Sequence, residues 1–285
     1  MKKNKSRILA LATGAPIGFL CGLIGLGGAE FRIPVLLGKF KFSVHKAVSM
    51  NLAVSLVTVM SSVLFRLPKV NVNDIWPLRI LILMFIIGSM AGAYFGGYFS
   101  KKITEETLKT TMLIVLIFIG VLLVFEGFHP IGSAKLTYEF TVKSSILCIA
   151  LGSIIGTISS LLGVAGGEIT IPTLMLVFGI DIKIAGTVSL LINIPALIVG
   201  ISKHALNGAY SSKKDIVDLV LPMGIGSIIG SFLGSYIIAY ISGSFIKVLL
   251  GALLITSVMK VFIKDRQSVN YSPLIEGELP ASKSS

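Results

Sequence analysis

From about residue 8 to residue 263 the chain is a succession of apolar runs, and their length constrains the fold more than any other feature. They fall at about 8–27, 43–65, 78–99, 108–127, 144–164, 183–201, 216–241 and 245–263. Runs of about 18 residues or more read as helices that cross a bilayer. Two further apolar stretches, about 31–38 and 169–178, are too short to span at about 1.5 Å per residue. Only 13% of residues are charged, against about 25% in a soluble domain. With 54% hydrophobic residues there is too little polar side chain to cover a water-facing surface. A soluble fold is excluded, and an all-α polytopic transmembrane bundle is expected.

The net charge of +12 does not indicate nucleic acid. The 25 Lys and Arg residues sit mostly between the apolar runs, where positive-inside anchors belong, and no basic patch is interleaved with aromatics. The segment Met1–Arg7 is charged, but no cleavage site follows it. It reads as a cytoplasmic N-terminus leading into a retained first helix. Cys21 and Cys148 lie inside apolar runs without metal-ligand neighbours, so buried thiols are expected and no metal or cofactor. His45, His129 and His204 are expected in solvated loops. The segment 264–285 is polar, carries Pro273 and Pro280, and reads as a disordered cytoplasmic tail.

The runs repeat. Gly18 to Phe40 and Gly156 to Phe178 align at an offset of 138 with nine of 23 positions identical, among them Gly25/Gly163, Gly28/Gly166, Glu30/Glu168 and Pro34/Pro172. The same offset pairs Gly88, Gly92 and Gly96 with Gly226, Gly230 and Gly234. Shared apolar composition does not hold glycines, prolines and a glutamate in one register, so duplication is the reading. It divides the chain into residues 1–7, a first transmembrane repeat 8–128, a connecting loop 129–143, a second repeat 144–263 and the tail 264–285. Charge counting does not separate inverted from parallel halves, and either arrangement puts both termini in the cytoplasm. Inverted halves, each with a broken or re-entrant helix, are preferred because broken helices at repeat interfaces usually accompany inverted topology. Glycines four apart make grooves for close helix approach. Such faces permit a homodimer, although packing within one chain can use all of them.

The candidate chemistry lies at the two glycine-rich breaks. Gly25-Leu26-Gly27-Gly28-Ala29-Glu30 precedes Ile33-Pro34, and Gly163-Val164-Ala165-Gly166-Gly167-Glu168 precedes Ile171-Pro172. Consecutive glycines interrupt a helix and free backbone groups that must find partners at membrane depth. A proline shortly afterwards suits the first turn of a new helix. Two half-helices with inward N-termini would favour an anion. Gly27, Gly28, Ala29, Gly166 and Gly167 are therefore candidate binding residues. Asn51 and Ser55, and their counterparts Ser189 and Asn193, are candidate hydrogen-bond partners, with interhelical bonding as their alternative role. Glu30 and Glu168 are costly at membrane depth and are candidates for proton coupling or for structural pairing. Arg32 supplies a positive charge in the first half only, because Thr170 stands at the equivalent position. No catalytic pair or nucleotide loop is present, so the chain is not read as an enzyme.

A duplicated Gly-x-Gly-Gly-rich segment followed by a proline and a Ser/Ala-containing helix resembles the TauE/SafE family of sulfite exporters. The resemblance covers about residues 8–263. It implies transport of a small sulfur-containing anion (sulfite, a sulfonate or thiosulfate) across a bacterial or archaeal cytoplasmic membrane. The sequence departs from the family pattern at Ala29, where a third glycine is expected, and at Ala165, opposite Gly27. A secondary transporter working by alternating access is the leading expectation. A passive anion channel, or an intramembrane enzyme or assembly factor, is the alternative.

Overall fold

The protein was analysed as a computed structural model, which describes residues 3–99, 104–128, 142–163, 166–253, 255 and 256. Residues 129–141 of the expected loop 129–143, with His129, and the whole expected tail 264–285 lie outside the described residues. Among the described residues there are helices and no strands. The helices are α1 (Lys3–Ile24), α2 (Ala29–Gly38), α3 (Val44–Arg66), α4 (Val72–Ile75), α5 (Arg79–Phe99), α6 (Glu105–Phe128), α7 (Val142–Leu162), α8 (Gly167–Leu176), α9 (Ile182–Leu206), α10 (Lys213–Asp215), α11 (Leu221–Ile237) and α12 (Gly243–Leu253). Six spans are long and apolar enough to cross a membrane: Asn4–Ile24, His45–Lys69, Asn73–Phe99, Val142–Leu161, Ile182–Leu206 and Lys213–Tyr240. The expected run at 108–127 falls within α6, and the last run is described only in part, as α12. The short apolar stretches form α2 and α8, ten residues each and about 15 Å long.

Two helix pairs carry the closest packing. Gly14, Gly18 and Gly22 of α1 face the carbonyls of Met223, Ser227 and Ser231 of α11. In return Gly226, Gly230 and Gly234 of α11 face the carbonyls of Leu11, Ala15 and Phe19. At each of these six positions a Cβ would fall inside the partner's backbone, so only glycine permits this approach. Residue numbers rise together along both helices, so α1 and α11 run in the same direction. The pair α5 and α7 is built alike: Gly88, Gly92 and Gly96 face Ile149, Ser153 and Thr157, while Gly152 and Gly156 face Phe85 and Ser89. The glycine faces noted in the sequence are thus occupied within one chain.

Cross-contacts give the remaining directions. Ala10, Leu36, Ala47 and Met50 share one buried cluster, and the Gly22 carbonyl meets Arg66. The first half of α1 therefore lies beside the first half of α3, and α2 folds back between them. Ser49 meets His204, and Arg66 meets Lys183, so α3 and α9 run in opposite directions. Gly97 lies against Lys203, so α5 and α9 end together. Hence α1, α3 and α11 run one way, and α5, α7 and α9 run the other.

Two ion pairs fix the end of the molecule that holds the N-terminus. Arg7 pairs with Asp218 at 2.6 Å, and Lys46 pairs with Asp215 at 2.5 Å. The histidine expectation needs correction. His45 lies in the first turn of α3, and His204 lies in the last turn of α9, where it is 6% exposed. The apolar run ends near residue 201, but the helix continues on Ser202, Lys203 and His204 until Asn207 caps it and Gly208 takes a positive φ of 80°. A helix follows its backbone hydrogen bonds, and a loss of apolarity does not stop it.

Candidate functional site

Glycine-rich segments precede both short helices. α1 ends at Ile24, residues 25–28 are non-helical, and α2 starts at Ala29. Gly28 holds φ 74° and Gly166 φ 82°, the left-handed region that favours glycine, and neither α2 nor α8 has a side-chain cap at its start. The first-turn N–H groups of both short helices are therefore left for other partners. The two breaks meet. A Cβ on Gly167 would lie 3.1 Å from the Gly25 carbonyl oxygen, 3.2 Å from Leu26 Cα and 3.4 Å from Ser189 Oγ. A Cβ on Gly166 would lie 3.0 Å from Asn193 Oδ1. Gly166, Gly167, Ser189 and Asn193 thus share one locus with the first break.

Arg32 is the central side chain. It is fully buried on α2. Its Nη1 donates to Asn51 Oδ1 at 3.2 Å and to Ser55 Oγ at 2.7 Å. Its Nη2 donates to the Gly27 carbonyl at 2.5 Å and to Thr58 Oγ1 at 3.0 Å. Asn51, Ser55 and Thr58 line one face of α3 at spacings of four and three, which is why a single guanidinium reaches all of them. Asn51 also crosses between the breaks, since its Nδ2 donates to the Gly163 carbonyl at 2.5 Å. Both ends of its amide are engaged, so Asn51 holds Arg32 in place and ties it to the second break.

The second half is less polar at this level. Thr170 turns its hydroxyl back onto the Gly166 carbonyl at 2.8 Å, and Asn193 Nδ2 donates to Ser189 Oγ at 3.1 Å. Glu168 lies in the first turn of α8 and is 1% exposed. Ala29 is the buried first residue of α2. The side chain of Glu30 lies outside the described residues. Cys21 is buried beside the first break and donates its thiol to the Leu26 carbonyl. Sequence reading had given it no place in the site.

Two buried residues at the ends of the path were not anticipated. Arg66 closes α3, and at its equivalent position His204 closes α9. Arg66 reads as an ordinary flanking anchor until the offset of 138 is applied to it. Near His204, Tyr210 donates to the Ser49 carbonyl at 2.7 Å. Burial pushes its phenol well above the usual tyrosine range, which keeps it a neutral donor.

The family described as sulfite exporter TauE/SafE matches residues 9–261. The chain belongs to this family. Within Bacillus subtilis (strain 168) it is 28% identical over 119 residues to "Probable membrane transporter protein YunE", covering 42% of each chain. It is 24% identical over 186 residues to "Probable membrane transporter protein YdhB", covering 65% of this chain and 73% of that one. The chain thus spans about two fifths of YunE in that match. No solved structure matches. For this TauE/SafE member, then, the helix contacts above supply the geometry on which a function can be argued.

Proposed function

We propose that this TauE/SafE protein is a secondary transporter of a small sulfur-containing anion, working by alternating access between two inverted halves. The observation that carries the reading is Arg32. A guanidinium at the centre of a membrane span costs about 2.5–3.5 kcal/mol on insertion scales. Here it is fully buried and aimed by Asn51, Ser55 and Thr58 at the middle of α3, beside two uncapped helix starts. Its planar fork matches the oxygens of a sulfite, sulfonate or thiosulfate group. The anion would take Arg32 donors in exchange for Ser55 and the Gly27 carbonyl, and would gain the first-turn N–H groups of α2 and α8. Gly27, Gly28, Ala29, Gly166 and Gly167 bring the backbone close, and Ser189 and Asn193 complete the locus. Glu168, with Glu30, would carry a coupling proton.

The directions of the helices support the inverted halves. At the offset of 138, α1 corresponds to α7, α3 to α9 and α5 to α11. The members of each correspondence run oppositely, and each half would then hold one broken helix. The names of YunE and YdhB also support a transporter. A cytoplasmic N-terminal end is supported by Lys39, Lys41, Lys46, Lys213 and Lys214, which cluster there.

The test is direct binding of sulfite, thiosulfate, taurine and sulfoacetate to purified protein. At least one should bind, and Arg32→Ala should weaken it by roughly 10- to 100-fold, the loss of a charge-assisted contact. Arg32→Lys should recover part of the loss. Binding of chloride or a carboxylate alone removes the substrate assignment.

A further inference from the structure

A cavity of about 530 Å³ opens at the N-terminal end, lined among others by Ser43, His45, Ser49, His204, Asn207 and Ser212. His204 lies at its inner limit. The Ser49 hydroxyl donates to the His45 carbonyl at 2.9 Å, so it meets His204 Nδ1, 3.1 Å away, as an acceptor. Nε2 is buried, and the Ser160 backbone lies against the ring.

The opposite end holds the same set of positions in a different state. Subtracting 138 from His204 gives Arg66, and from Ser160 gives Gly22. Adding it to Ser49 gives Thr187, and to His45 gives Lys183. There the contacts are complete. Arg66 Nη1 donates to the Gly22 carbonyl at 3.0 Å, Nη2 to the Lys183 carbonyl at 2.9 Å and Nε to Thr187 Oγ1 at 3.1 Å. Thr187 Oγ1 in turn donates to the Lys183 carbonyl, as Ser49 does to His45. One fully buried side chain thus ties α1, α3 and α9 together at the far end.

We infer that Arg66 and His204 are a matched pair of gate residues, one latch built twice, fully clamped at the far end and only partly made at the N-terminal end. This rests on the alternating-access reading and adds the residues that hold each end shut. Arg66 clamps α1 and α9 onto its own helix, because its fork carries enough donors for two carbonyls and a hydroxyl. His204 can reach only part of the equivalent set, so the N-terminal gate is the weaker one and the cavity stands open there. In the alternate state the cavity beside His204 would close, while Arg66 would release Gly22 and line an opening on its own side.

Two thiols report on this without any substrate. Cys21 adjoins Gly22, and its counterpart at the offset of 138 is Ser159, which adjoins Ser160. In a Cys148→Ala protein, Arg66→Ala should speed modification of Cys21 by a membrane-impermeant thiol reagent about tenfold, from the far side only. Thr187→Val, a milder cut in the same latch, should act in the same direction. In a Cys21→Ala, Cys148→Ala, Ser159→Cys protein, His204→Arg should slow modification from the N-terminal side by a similar factor, because it installs the full clamp. If Arg66→Ala does not fold, the Thr187→Val and His204→Arg arms decide. Unchanged labelling, or equal changes from both sides, overturns the inference. Side-selective labelling together with no sulfur-anion binding would remove the substrate assignment and leave the gates standing.

Discussion

At the scale of single residues, the site is asymmetric in charge although the sequence around it is repeated. Arg32 stands opposite Thr170, and Thr170 spends its hydroxyl on its own helix. Only one of the two breaks can present a fixed positive charge to an anion. Glu168 is the carboxylate whose place is described, it is 1% exposed, and on the proposed coupling it carries the proton. Glu168→Gln should therefore abolish anion flux driven by a pH gradient while leaving anion exchange at equal pH intact, measured in proteoliposomes. Equal pH-driven flux in Glu168→Gln, in Glu30→Gln and in the parent would remove proton coupling. Ser55→Ala tests the orienting contact separately and should weaken anion binding by about three- to tenfold, less than Arg32→Ala. Much of this was legible in the sequence, because glycines, a proline and ionisable residues are rare enough in an apolar chain to stand out. Arg32's partners on α3 were not. Asn51 and Ser55 stood out as hydrogen-bond candidates, but whether they met a ligand or an arginine depended on how α2 folds back. His204 was misplaced because helix ends at a membrane surface are polar and look like loops.

At the scale of elements, glycine sets how close the helices come. The approach in α1–α11 and α5–α7 leaves no room for a Cβ, so Gly18→Ala and Gly156→Ala should each lower stability by about 1–3 kcal/mol. The thermal unfolding midpoint in detergent should fall in both. Gly200 is the control: a Cβ there finds its nearest neighbour, Ser160 Oγ, at 3.6 Å. Gly200→Ala should be neutral or slightly stabilising, since alanine is favoured over glycine within a helix by up to about 1 kcal/mol. Equal losses at all three positions would refute the steric account. The spacing of four was visible in the sequence and named these grooves. Their partners were not visible, because an apolar stretch carries no address, and the facing residues are carbonyls that every helix has.

At the scale of the whole molecule, exposed lysines mark both ends of the bundle. Lys39 and Lys69 are both exposed and sit at opposite ends of the bundle. In a cysteine-free background, Lys39→Cys should react with an impermeant reagent from the cytoplasmic side only, and Lys69→Cys from the other side only. Reaction of both from one side would refute the helix directions on which the inverted reading depends. Those directions could not come from the sequence, where charge counts fit two topologies. They follow from which carbonyl each glycine touches. The same interlock bears on how the chain is made. α1 leaves the ribosome well before α11, yet its glycine groove fits that helix, which begins roughly two hundred residues later. At about 5–20 residues per second, α1 waits on the order of tens of seconds beside lipid with that groove unfilled. α1 is thus seated long after it is made, and a chain that stalls before Leu221 leaves quality control an unmatched groove to detect.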